Sequence, residues 1–189
     1  MYYKLYMYKK INMLNNLYMY ELLYYFKEFF VMFRKMRRFS QEVSKENAVN
    51  ILKKSGRGVL SVIGDDGYPY GIPVNFVYDE NDNSIYIHGA KEGHKIDSIK
   101  RCNKVSFTTW DKGFKKDGDW AWTVTSVIIF GHAELIDDIN IITDKVRHLG
   151  RKYYPSIDEV EKEIKSAIDK VQLISVHIDN ITGKTIHEK

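Results

Sequence analysis

Between Gly58 and Gly89, apolar and polar residues alternate in three runs, "GVLSVIG", "PYGIPVNFVY" and "SIYIHG", and no linker between them exceeds five residues. Parallel neighbours need a crossover of about a dozen residues or more, so linkers this short impose antiparallel pairing. The first linker, "DDGY", is a tight-turn signal between apolar runs, and "DENDN" is a second. The stretch therefore predicts an antiparallel meander and argues against a doubly wound parallel sheet.

The flanking patterns agree with that start. Upstream, Ser44 is placed to cap a helix "KENAVNILKKS" with an apolar stripe of Ala48, Ile51 and Leu52, and Gly56 is placed to end it. Downstream, a helix is expected over residues 92–102, then a strand "KVSFTTW", a polar loop through Gly118 and a long strand "WAWTVTSVIIFGHAELI". Two helices follow, one near 140–153 and one opening at Ser156, whose Glu159 three positions on makes a capping box. A last strand, "VQLISVHIDNITG", closes the pattern. About six strands with helices between them predict a small closed or nearly closed barrel of the α+β class.

Residues 1–38 are different in kind, dense in Tyr, Phe, Met, Lys and Asn. They hold eight Lys or Arg against two Glu, so the segment carries +6 and the rest of the chain −2. A basic excess confined to one terminal segment does not describe a nucleic-acid surface, and no nucleic-acid partner is expected. The apolar run 17–33 is interrupted by Glu21, Lys27 and Glu28 and falls short of a bilayer span. We expect an extension outside a domain at 39–189, with a membrane-surface helix as the alternative reading of 1–38. The lone Cys102 permits no intrachain disulfide and fits a reducing, cytoplasmic setting.

Six histidines invite a metal reading, but no two lie three or four apart on a predicted helix, so none is expected. Nucleophile-elbow, Walker and Rossmann signatures are absent from the sequence. What stands out is the helix expected from residue 92. Its first turn gathers Lys91, His94 and Lys95 where the free N–H groups already carry partial positive charge. An anion such as a phosphate, approached closely at Gly93, would resolve the conflict. Alternatively, the lysines point into water and Glu92 supplies the negative charge. Just upstream, Pro69 and Pro73 mark a strand with missing donors, an edge or bulge where the backbone of Val74 and Asn75 could address a flat polar ring.

Residues 61–110, followed by "TSVIIFGHAELIDD" and "ISVHIDNITGK", resemble the FMN-binding split-barrel flavoproteins over about 36–184. Within these the chain is most similar to the pyridoxamine 5′-phosphate oxidase-related proteins that include the 5-nitroimidazole-resistance reductases. The resemblance implies an antiparallel six-stranded split β-barrel with flanking helices, and FMN as cofactor. It implies a ring site at Pro73, Val74 and Asn75, His88 at the reactive edge as the catalytic candidate, and the phosphate on Gly93, His94 and Lys95. Ser126 and Val127 would come from the partner subunit of a homodimer. Because residues 174–189 contain no arginine, oxidation of vitamin B6 itself is not expected. The implied activity is an oxidoreductase acting on a small flat acceptor such as a 5-nitroimidazole. The alternative is a non-catalytic carrier of a flavin or haem-like ligand. Trp110, Trp120 and Trp122 are read either as a wall over the flavin or as core.

Overall fold

A computed structural model describes residues 33–188. Most of the aromatic segment, and with it the membrane-surface alternative, lies outside the described residues. Among the described residues, no helix is long and apolar enough to cross a membrane.

Ser44 caps the first helix as its sequence predicts, its Oγ accepting from the Asn47 N–H at 3.2 Å. The helix, α1, spans Lys45–Lys54 and buries Ala48 and Leu52 completely. Gly56 plays no part in ending it. Ser55 does, its Oγ donating to the Ile51 carbonyl at 2.8 Å. Three further helices are described: α2 (His94–Arg101), α3 (Ile139–Tyr153) and α4 (Ile157–Ala167). The capping box before α4 forms, Ser156 Oγ accepting from the Glu159 N–H at 3.3 Å.

The strands are β1 (Glu42–Val43), β2 (Arg57–Ile63), β3 (Pro69–Asn75), β4 (Val77–Asp79), β5 (Ser84–Ala90), β6 (Lys104–Trp110), β7 (Phe114–Lys115), β8 (Trp122–Ile136) and β9 (Val171–His187). Six are long; β1, β4 and β7 are two- or three-residue additions without a sequence signature. All pairings are antiparallel, in the order β3-β2-β6-β8-β9-β5-β4, with β1 on β9 and β7 on β8. The sheet curls into a half-barrel, giving the expected α+β split barrel. Cα atoms of β3 and β5 come within 8 Å of each other, yet no ladder joins them.

The expected meander is only half present. The run 69–78 breaks at Phe76, so β3 pairs with β2 at one end of the order while β4 pairs with β5 at the other. The physical reason is local. Phe76 is completely buried in the barrel and meets Phe107 edge-on at 4.8 Å. Its N–H donates to Tyr153 Oη at 2.9 Å, and its carbonyl accepts from Tyr153 Oη at 2.8 Å and Lys152 Nζ at 3.1 Å. Side chains from the end of α3, not a neighbouring strand, satisfy the backbone there.

Inside the barrel lie Leu60, Ile85, Ile87, Phe107, Val127, Ile129, Ile174 and Val176, closed off by Ala48 and Leu52 of α1 and Ile96 and Ile99 of α2. A smaller core beneath α3 joins Val77, Tyr86, Ile142, Leu149 and Leu173. Strand β5 serves both, with Ile85 and Ile87 turned into the barrel and Tyr86 turned to α3. Each large side chain so buried contributes about 1.5–3 kcal/mol.

Candidate functional site

The split between β3 and β5 is a cleft of about 440 Å³ lined by Arg57, Ile72, Pro73, Val74, Asn75, His88 and Lys95. That volume is in the range of small-molecule sites. Strand β3 is the end of the sheet order, so Pro73 sits on an edge, where its missing N–H costs no ladder bond.

Lys95 enters from the opposite side. Helix α2 begins at His94 with Gly93 as its cap, and Gly93 has φ of 121°, a conformation that only glycine adopts readily. The helix thus starts two residues later than its sequence pattern suggests, and Glu92 stands outside it. Lys95 then falls in the first turn and reaches the cleft over Gly89. A Cβ at Gly89 would lie 2.8 Å from Lys95 Nζ. The ammonium is half-buried and has no carboxylate within ion-pair distance among the described residues. Burial alone holds its pKa below the ordinary lysine value.

His88, on β5, faces the same cleft. Partial desolvation, and secondarily the charge of Lys95, lowers its pKa, which favours the neutral imidazole. A neutral imidazole offers one N–H and one lone pair.

His94 is not aimed at the cleft. Its ring stacks on Tyr70 at 4.4 Å, and Nε2 accepts from the Asp65 N–H at 3.2 Å, so it closes the β2–β3 turn. Only the backbone of Gly93 and His94 remains near the start of α2. Ser126 and Val127 are likewise not brought to the cleft within this chain. Val127 is completely buried in the barrel, and Ser126 sits on the outer face of β8, opposite Trp110 and Lys184. The three tryptophans are neither core nor lining of the cleft: Trp110, Trp120 and Trp122 are 52%, 70% and 43% exposed.

Arg57 and Ile72 were missed by reading the sequence. The signal for Arg57 was present: counting back through the β2–β3 hairpin pairs it with Asn75.

The chemistry of this donor set is that of an anion at one end and a flat polar group along the β3 edge. The pyridoxamine 5′-phosphate oxidase family model matches residues 44–185. The chain belongs to that family. Solved structures agree in fold. A candidate 5-nitroimidazole antibiotic resistance protein from Bacteroides thetaiotaomicron is 23% identical, with a TM-score of 0.65 over 77% of this chain and 87% of that one. The flavocytochrome Anf3 from Azotobacter vinelandii is 19% identical, with a TM-score of 0.65 over 81% and 72%. An FAD-binding protein from Mycobacterium smegmatis is 17% identical, with a TM-score of 0.53 over 78% and 98%. At these identities the likeness establishes the fold. No curated protein matches the chain.

Proposed function

We propose that the cleft holds FMN and that the protein is a homodimeric, cytoplasmic oxidoreductase passing electrons to a small flat acceptor such as a 5-nitroimidazole. The observation that carries this reading is Lys95, half-buried and without an ion-pair partner among the described residues, at the start of α2 and facing the proline-marked edge of β3. A phosphate would receive its ammonium together with the free N–H groups of the first turn. Gly89 keeps room for that ammonium, and the edge of Pro73, Val74 and Asn75 would orient the ring. His88 would hold or donate a proton beside it. Bound flavin would supply the electron transfer itself. The FAD-binding relative and the nitroimidazole-resistance relative are consistent with this class of ligand and acceptor.

The dimer is part of the same proposal. Trp110 on β6 and Trp122 and Ile128 on β8 share the outer face of the sheet and are 52%, 43% and 42% exposed. A second copy covering that face would carry Ser126 toward the partner's cleft.

The test is a visible spectrum of the purified protein, followed by steady-state reduction of an added nitroimidazole. A yellow, FMN-containing protein that turns over supports the proposal. A yellow protein without turnover leaves a flavin carrier, and a colourless one that takes up no FMN overturns the proposal.

A further inference from the structure

A second cavity, of about 170 Å³, lies under the hairpin of α3 and α4 and shares only His88 with the lining of the cleft. Its walls include Leu149 on α3, Val160 and Ile164 on α4, and Val171 at the start of β9. The first three are buried. The two helices meet at Gly150, where a Cβ would stand 2.7 Å from Val160 Cγ1. That contact fixes the hairpin, and the cavity is the space remaining between it and β5. Voids larger than a water molecule are few in a packed interior. An apolar cavity of about 150 Å³ in another protein stays dry and binds benzene. The volume here therefore suits one small ring.

The polar groups around it set the ring's chemistry. Glu163 stands at the exposed rim and makes no ion pair among the described residues. Tyr154 adds a hydroxyl, and His88 lines the β5 side, its imidazole kept toward the neutral form by partial desolvation. The hydroxyl and the imidazole can each donate or accept, so the one formal charge in this lining, the Glu163 carboxylate, sets its preference.

We propose that this cavity is a binding site for a single small aromatic ring carrying a cationic or hydrogen-bond-donating group, such as an aryl amidine. The site stands on the cavity alone and is independent of flavin.

The experiment titrates the full chain, free of flavin, with benzamidine, toluene and benzoate, following the His88 imidazole resonances by NMR. Benzamidine should bind about three- to fivefold more tightly than toluene, the scale of an exposed charge pair, with benzoate weakest. Glu163→Gln should erase that preference. Ala167→Leu, which places extra carbons in the wall, should weaken both benzamidine and toluene about tenfold or more. A melting curve checks that the Leu variant is folded; if it is not, Glu163→Gln must still remove the preference for the proposal to stand. Absence of any His88 shift with all three rings overturns the proposal, as does unchanged binding in the folded Leu variant. FMN uptake is followed separately: protein that takes FMN but no ring refutes this site alone, and protein that takes rings but no FMN refutes the flavin reading alone.

Discussion

At Phe76 the sheet loses its ladder and the gap is sealed, whereas between β3 and β5 it loses its ladder and the gap stays open. The sealed gap is filled by the chain's own groups. Tyr153 Oη and Lys152 Nζ take the Phe76 backbone, and Lys152 also donates to the Ser55 carbonyl at 2.6 Å. The open gap holds a lysine too, but Lys95 has neither carbonyl nor carboxylate to receive it among the described residues. Burial lowers both pKa values, that of Lys152 to about 8. Two half-buried ammonium groups thus face the same loss of water. One is compensated within the fold by backbone carbonyls, and the other has no such compensation among the described residues.

The largest expected effect breaks the sealed side. Phe76→Ala should destabilise the protein by about 3–5 kcal/mol, the scale for emptying a buried aromatic site. Urea unfolding measures it, and a loss under about 1 kcal/mol would mean that the ring does not anchor the break. Next, on the open side, His88→Ala should lower nitroimidazole turnover per bound flavin by about 10²-fold, the scale of general acid catalysis. If turnover per flavin holds and only FMN affinity falls, His88 merely packs in the cleft.

Lys95→Ala should weaken FMN by about 1.5–3 kcal/mol, as for a hydrogen bond to a charged group. Riboflavin affinity should stay unchanged, as should urea stability without ligand. Equal losses for both flavins would make Lys95 another Lys152. The smallest effect is electrostatic. Because the Lys95 charge disfavours imidazolium, Lys95→Met should raise the His88 pKa in the ligand-free protein, while burial, the larger cause, keeps it below the ordinary 6.5. Wild-type stability linked to His88 is fully present above that ordinary value and is lost as pH falls toward the lowered folded value. The variant should lose less of it, and an NMR titration alongside urea melts at two pH values would show whether it does.

Much of the fold was legible because local and tertiary signals coincide. Ser44, Ser156 and the "DDGY" turn do what their chemistry predicts, and β6 occupies the run "KVSFTTW" that alternation marks. The break at Phe76 was not legible, because its cause is Tyr153, distant in sequence, and nothing local to 69–78 hints at it. In the site, Pro73, Val74, Asn75, His88 and Lys95 line one cleft. The imidazole of His94 does not, since Tyr70 and Asp65 offer it a nearer stacking face and donor. Position at a helix start fixes the direction of backbone N–H groups but leaves a side chain free to choose its neighbour.

Strand β9 has a consequence for the order of folding. It pairs with β8 on one side and β5 on the other, and among the described residues no other ladder joins the group β3-β2-β6-β8 to the group β5-β4. Residues 171–187 leave the ribosome after every strand they connect, so during synthesis the two groups wait as separate pieces, each with an unpaired edge. Pairing β5 with β9 means closing a loop of more than eighty residues, which favours slow, late closure. The half-barrel, and with it the cleft, would come into being in a single terminal step.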